Sequence, residues 1–207
     1  AIDAAVAVGY ALAVVHPAAG NIGGGGFAVI HLADGTDITL DFRETAPRAA
    51  HAAVYLDSKG EVIPEASTTG HRAAGVPGTV AGLSAMLDRY GTLPLADLMA
   101  PAIELAGKGF IVSARQEETF SEAAALLSRF PASRRYFLKH AGSPFKEGEK
   151  LVQADLAETL KTSAENGPDA FYRGPVARRI AVNLAPNNCP VTQAHTHATP
   201  PGCRAPG

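Results

Sequence analysis

The sequence has no tryptophan, only two cysteines and two methionines, and just 6% aromatic residues in a chain of 207. Both cysteines lie near the C-terminal end, in an atypical segment, so they do not decide the redox compartment. A formal net charge of −2 excludes a strong electrostatic attraction to nucleic acid or to an anionic membrane. No apolar run has the length of a membrane span. The 46% hydrophobic content is nevertheless enough for one core of ordinary domain size.

The N-terminal stretch is the most apolar part of the chain. Residues 4–15 predict a helix that Pro17 ends, and because it is apolar on every side we expect it to be buried between layers. The stretch lacks the charged start and the cleavage-like site of a signal peptide. Because the chain begins inside this helical pattern, we expect an upstream portion that this sequence does not include.

A β-hairpin is predicted directly after this helix. Residues 27–32 and 38–42 are dense in residues that favour strands, and Asp34 and Gly35 lie between them. Asp-Gly favours a tight turn because glycine accepts a positive φ without steric cost. Arg43 directly follows the second strand, so a rigid hairpin would hold its side chain at a rim.

Four consecutive glycines, residues 23–26, precede the hairpin. Clustered backbone amides can bind a phosphate, but phosphate loops open a helix, whereas these glycines lead into a strand. The segment also lacks the dinucleotide-type glycine spacing and the Lys-Ser/Thr ending of nucleotide loops. We therefore interpret the glycines as positions where the backbone packs closely against a neighbouring strand or ligand.

The middle of the chain is predicted to be mainly helical, after a long connection over residues 45–75. Apolar periodicity and end signals predict helices over residues 80–90, 95–106, 113–127, 153–164 and 175–182. Pro101 predicts a kink or a break near Ala100, and Ser113 with Gln116 matches a capping box. The whole predicts an α/β (α+β) fold with helices packed on a β-sheet.

The composition changes after residue 182. Residues 183–207 contain no acidic residue and no regular periodicity, so we expect one domain over residues 1–182 and a disordered tail beyond it. The tail contains four possible metal ligands whose spacing fits no common zinc pattern: Cys189, His195, His197 and Cys203. We therefore expect no metal site there.

Several motifs occur in the order in which they appear in one known family. They are residues 1–9 (AIDAAVAVG), 16–27 (HPAAGNIGGGGF), 41–44 (DFRE) with Ala46-Pro47, 75–82 (GVPGTVAG) and 164–172 (AENGPDAFY). Together they closely resemble the large-subunit part of γ-glutamyltranspeptidases (glutathione hydrolases). The resemblance implies an incomplete, layered N-terminal nucleophile hydrolase fold and no cofactor. It also implies a proenzyme (zymogen) that is periplasmic or secreted in bacteria.

The resemblance also implies a reaction and a partner. Enzymes of this family cleave the γ-glutamyl amide of glutathione and related compounds and transfer the γ-glutamyl group to water, amino acids or peptides. The nucleophile is a threonine that opens the small subunit of the same precursor. That threonine is expected outside this chain, so the chain is expected to contain no catalytic residue. Two alternatives remain open: an inactive or subunit-binding fragment, and a related acylase.

Arg43 is the main candidate site residue. From the sequence alone, a structural ion pair with Glu44 or another acid would explain an arginine at this position. The family resemblance implies instead that the arginine of Asp-Phe-Arg-Glu binds the α-carboxylate of the γ-glutamyl group, and Arg43 occupies that position. Asp41 and Glu44 are then expected to orient Arg43 or the hairpin. The remaining candidates have no identifiable base or partner in the sequence and favour capping or packing roles: His16, Thr68, Thr69, Thr79 and Ser84.

Overall fold

The computed structural model describes residues 1–184, 189 and 202–204. These residues form eight α-helices, one short 3₁₀ helix and five β-strands. In chain order they are α1 (Ile2–Val15), β1 (Phe27–His31), β2 (Asp37–Asp41), the 3₁₀ helix (His71–Ala73), α2 (Thr79–Tyr90), α3 (Leu95–Lys108), β3 (Phe110–Ile111), α4 (Ala114–Ser128), α5 (Pro131–Phe137), β4 (Lys150–Leu151), α6 (Ala154–Asn166), α7 (Pro168–Tyr172), α8 (Pro175–Leu184) and β5 (Gly202–Arg204).

The predicted hairpin is present. Strands β1 and β2 pair antiparallel with Phe27 opposite Asp41, and Gly35 in the turn has a φ of 87°. The Asp34 carboxylate accepts a hydrogen bond of 2.9 Å from the backbone N–H of Thr36, which closes the turn. The other edge of β2 pairs with β5, which makes a three-stranded sheet in the order β1-β2-β5.

The helices pack in succession away from this sheet. Helix α2 packs against β2, α1 packs against both α2 and α3, and α6 packs on α3. One side of α1 is fully buried through Val6, Tyr10 and Val14, but Val8 is 54% exposed and Leu12 is 41% exposed. The expectation that α1 is buried on every side is therefore wrong within the described chain. Among the described helices, none combines the length and apolar character needed to cross a membrane.

Two helix predictions need correction. A kink or a break was predicted near Ala100, and helix α3 continues through Pro101, so the break does not occur. Pro101 and Asp97 are both exposed, so the carbonyl that loses its helical hydrogen bond lies on the solvent side of the helix. The short helices α5 and α7 were not predicted, although each begins with a proline, Pro131 and Pro168. Proline is favoured at the first helical position because its fixed φ suits the helix and its missing N–H is not needed.

The segment predicted to be a disordered tail is described only in part. Helix α8 extends to Leu184, two residues past the predicted end of the domain, and residues 202–204 form β5. Cys189 is a buried free cysteine. The remaining residues of the predicted tail, including His195 and His197, lie outside the described residues. For them, disorder stays a prediction.

The capping box at the start of α4 is formed as predicted. The Ser113 hydroxyl accepts a hydrogen bond of 3.3 Å from the Gln116 backbone N–H, and Gln116 Oε1 accepts one of 2.8 Å from the Ser113 N–H. Gln116 Nε2 also donates to the Val15 carbonyl at 2.5 Å, which ties α4 to the end of α1. This start of α4 therefore stabilises both the helix and its packing.

We expect Ser113→Ala to lower the free energy of unfolding of the chain by about 1 kcal/mol, because the N-terminal amides of α4 lose their cap. Urea denaturation followed by circular dichroism measures the change. Ser121→Ala, on the exposed middle of α4, is the matched control and should have no effect or stabilise slightly, since alanine favours helix. Equal losses in the two variants would contradict the capping role.

Asp3 links α1 to the connection between α2 and α3. Its carboxylate accepts hydrogen bonds from the Thr92 backbone N–H (2.8 Å), the Thr92 hydroxyl (2.8 Å) and the Leu93 N–H (3.1 Å). These bonds, with the Thr92 backbone N–H foremost, lower the pKa of Asp3 below its ordinary value. A lowered pKa in the folded state means that the stabilisation is present above the unfolded pKa and is lost as the pH falls through the folded pKa.

The chain should therefore lose stability as the pH falls below about 4, because Asp3 binds a proton more readily in the unfolded chain than in the folded chain. Asp3→Asn should reduce the stability at pH 7 and should make the melting temperature fall less between pH 7 and pH 3. Thermal melts between pH 3 and pH 7 measure the effect. Asp88→Asn, at an exposed position of α2, serves as the control. If the melting temperature of Asp3→Asn fell as steeply with decreasing pH as that of the parent chain, the role of Asp3 would be contradicted.

Candidate functional site

Arg43 lies at the rim where the hairpin ends, as predicted. Strand β2 stops at Asp41, and the Arg43 side chain is 62% exposed. Its backbone N–H donates to Asp41 Oδ1 at 3.1 Å, and its Nε lies 3.7 Å from the same oxygen. The guanidinium carbon lies 4.8 Å from the centre of the Phe27 ring. Arg43 is therefore neither turned into the interior nor enclosed by acids.

The contacts of Arg43 leave part of its guanidinium available. The closest approach of Asp41 to the guanidinium is at Nε, and no other acid among the described residues forms an ion pair with Arg43. The two Nη groups carry four of the five N–H donors of the guanidinium, and a planar fork of this kind can bind a carboxylate through two parallel hydrogen bonds. The geometry is thus that of a guanidinium oriented from one side and open on another.

The main chain beside Arg43 is held by the glycines of residues 23–26. The Phe42 N–H donates to the Gly26 carbonyl at 3.0 Å, and the Gly26 N–H donates to the Phe42 carbonyl at 3.4 Å. The Gly24 carbonyl in turn accepts hydrogen bonds from the N–H groups of Gly78 (2.8 Å) and Thr79 (3.0 Å), where α2 begins. The glycine loop therefore joins the hairpin to α2, which agrees with its interpretation as a close-packing segment.

Glu44 and Arg43 do not line the same cleft. Glu44 lines a cleft of about 410 Å³ whose described walls include Tyr55 and Arg72 and do not include Arg43. Among the described residues, Glu44 makes no ion pair with Arg43. The following residue, Thr45, forms a β-bridge with Val76, which holds this part of the chain against the segment that leads into α2. Of the two predicted supporting acids, the structure brings only Asp41 into contact with Arg43.

The two buried tyrosines, and the candidate hydroxyls of Thr68 and Ser84, are placed by packing or by local hydrogen bonds. Burial raises the pKa of Tyr10 to about 12, so its phenol stays neutral at physiological pH. Burial also raises the pKa of Tyr172, whose hydroxyl accepts a hydrogen bond of 3.0 Å from the Ala81 N–H. The Thr68 hydroxyl donates to the Glu65 carbonyl at 3.2 Å, and Ser84 is buried. In the described part of the chain, no three His, Cys, Asp or Glu side chains are grouped to hold a metal ion.

Phe27 is a neighbour of Arg43 that the sequence patterns did not indicate. The antiparallel register places Phe27 opposite Asp41, the last residue of β2. The two side chains therefore lie next to the point where the chain leaves the strand and continues to Arg43. Phe27 is 64% exposed, and the Arg43 guanidinium lies over its ring. Its cross-strand pairing could have been derived from the predicted turn, because a hairpin turn fixes the register of the strands.

Comparison with known proteins agrees with this arrangement. The sequence model of the family Gamma-glutamyltranspeptidase matches residues 1–196. The glutathione hydrolase proenzyme of Pseudomonas sp. (strain A14) is 50% identical over 194 residues, which cover 94% of this chain and 34% of that protein. The acylase ACY 1 proenzyme of Pseudomonas sp. (strain SE83) is 39% identical over 200 residues, which cover 94% of this chain and 36% of that protein.

The fold shows the same relationship. The crystal structure of Helicobacter pylori gamma-glutamyltranspeptidase superimposes with a TM-score of 0.96 at 49% identity, covering 100% of this chain and 59% of that chain. The family match continues past Val182, where the sequence patterns had placed the end of the domain. The chain spans about a third of the length of the curated relatives it matches. It belongs to the gamma-glutamyltranspeptidase family, and its α+β arrangement is part of a layered N-terminal nucleophile hydrolase fold.

Proposed function

We propose that this chain supplies the carboxylate-binding part of a glutathione hydrolase (γ-glutamyltransferase) large subunit. The observation that supports this proposal is the exposed guanidinium fork of Arg43, which Asp41 approaches most closely at Nε where the hairpin ends. A bidentate hydrogen bond between this fork and the α-carboxylate of the γ-glutamyl group would fix one end of the donor. Arg43 is then a substrate-binding residue, and Asp41 orients it.

The proposed reaction divides its work between two polypeptide segments. A threonine hydroxyl of the small subunit attacks the γ-glutamyl amide carbon of glutathione, the amine leaves with a proton, and a γ-glutamyl ester remains. Water, an amino acid or a peptide then takes the acyl group and regenerates the hydroxyl. Arg43 contributes by positioning, because a donor fixed at its carboxylate presents its amide in one orientation. This route uses no metal or cofactor, and we place the mature enzyme in the periplasm or outside the cell.

A second candidate is an acylase that acts on other amides. The 39% identical acylase ACY 1 proenzyme supports it, because that relative aligns over the same part of the chain. The two candidates differ in the group that stands beside the substrate carboxylate. A γ-glutamyl donor carries an α-amino group beside the carboxylate, whereas a glutaryl amide carries the carboxylate alone. A higher kcat/KM for glutathione than for a glutaryl amide favours the transpeptidase.

We expect Arg43→Lys to raise the KM for glutathione about tenfold or more, with a smaller change in kcat. An ammonium cannot form the bidentate pair, and hydrogen bonds to charged groups contribute about 1.5–3 kcal/mol. The assay uses a complete precursor in which residues 1–182 replace the matching segment of the Pseudomonas relative. Arg89→Lys, at an exposed position in the last turn of α2, is the matched control. An unchanged KM would contradict the assignment of Arg43.

The 207-residue chain by itself is expected to be inactive, because the proposed nucleophile belongs to the small subunit. Incubation of the purified chain with γ-glutamyl-p-nitroanilide should release no p-nitroaniline above the buffer rate. The complete chimeric precursor, assayed in parallel, is the positive control. Turnover by the purified chain would show that a residue within it acts as the nucleophile and would overturn the proposed division of work.

A further inference from the structure

The main chain next to Arg43 lies in direct contact with α2 at Gly82. A Cβ atom built on Gly82 would lie 2.1 Å from Phe42 Cγ and 2.5 Å from Phe42 Cβ. Real Cβ atoms essentially never have contacts under 3.0 Å. Because the Cβ of Phe42 is part of the contact, rotation of the Phe42 ring would not relieve it. Any side chain at position 82 must therefore move the main chain at residue 42 or the helix itself.

Gly78 and Gly25 also lie in close contact with the main chain of residues 42 and 43. A Cβ on Gly78 would lie 1.9 Å from the Phe42 carbonyl oxygen. A Cβ on Gly25 would lie 2.6 Å from the same oxygen and 2.7 Å from Arg43 Cα. The Phe42 ring is half-buried and packs against the hydrophobic core. Residue 42 thus lies in a slot between the glycine loop and α2, with no room for a side chain on any of these glycines.

The slot is rigid because its two walls are bonded to each other. The Gly24 carbonyl accepts hydrogen bonds from the N–H groups at the start of α2, so the glycine loop cannot move away from the helix independently. A Cβ at position 82 would therefore change the position of Phe42, and of the Arg43 main chain that follows it, relative to α2. A binding group has to be held within about 0.5 Å of its productive geometry.

We propose that Gly82 is a positioning residue for Arg43, acting through Phe42. Because Gly82 has no side chain, Phe42 packs directly against α2. This contact fixes the position of the main chain that carries the Arg43 side chain. The expected effect on substrate binding rests on the proposed function of Arg43. The expected displacement of residues 42 and 43 does not, because it follows from the packing alone.

The test compares two Gly→Ala substitutions in helix interiors, made in the same complete precursor. Gly82→Ala places a Cβ in the slot, whereas the nearest atom to a Cβ on Gly107 in α3 is Ala157 Cβ, at an ordinary contact distance of 3.6 Å. We expect Gly82→Ala to raise the KM for γ-glutamyl-p-nitroanilide on the order of tenfold or more, with a smaller change in kcat. Gly107→Ala should leave both constants within about twofold.

A second measurement reports position without activity. In ¹H–¹⁵N spectra of the 207-residue chain, the amide signals of Phe42 and Arg43 should shift in Gly82→Ala and stay in place in Gly107→Ala. If Gly82→Ala prevents folding, Phe42→Leu replaces it. That variant removes the ring from its seat without adding atoms to α2, and it should also raise the KM.

The outcomes separate the two proposals. If Arg43→Lys raises the KM and Gly82→Ala, folded and mature, does not, the role of Gly82 is overturned and the proposed function stands. If neither variant changes the KM, both proposals are overturned. Unshifted amide signals of Phe42 and Arg43 in a folded Gly82→Ala chain would overturn the positioning role whatever the kinetics show.

Discussion

The contact between the glycine loop and the start of α2 is the constraint on which the candidate site depends. The Gly24 carbonyl accepts hydrogen bonds from Gly78 and Thr79, and the space between these segments holds the main chain at Phe42. These bonds are made by backbone groups, and the packing beside them excludes side chains. The hairpin, the loop and α2 therefore behave as one unit, and the position of Arg43 is set by that unit.

The magnitudes of the side-chain contacts support this view. An exposed ion pair contributes about 0–1 kcal/mol, and an exposed cation–π contact contributes about 0.5–1 kcal/mol. Arg43 is 62% exposed, so its contacts with Asp41 and Phe27 bias its rotamer without locking it. By contrast, the steric limits around Phe42 cannot be exceeded without moving a helix or a strand. Placement of Arg43 is thus mainly a property of the main chain, and its final orientation is a property of the side chains.

Much of the local structure could be predicted because its causes are local. The Asp34-Gly35 turn and the Ser113 capping box each depend on residues within a few positions of one another. The prediction that α1 is buried on every side was wrong. The apolar pattern shows that each face of the helix can be buried, but it does not show whether the rest of this chain covers every face. Of the kink or break predicted near Ala100, the break does not occur, because the carbonyl that loses its helical hydrogen bond at Pro101 lies on the solvent side of α3.

The site could be predicted only in part, for a physical reason. Arg43 was identified from a motif of consecutive residues. The packing of Phe42 against Gly82 joins positions far apart in the chain, and it leaves no periodic pattern in the sequence. Glu44, adjacent to Arg43 in sequence, lines a cleft whose described walls do not include Arg43. Closeness in sequence therefore identified Arg43 and its neighbour Asp41, but not the packing of Phe42 on Gly82. In the proposed function, Arg43 positions a substrate for a hydroxyl of another segment, and such positioning needs long-range supports, since neither segment alone defines the distance between them.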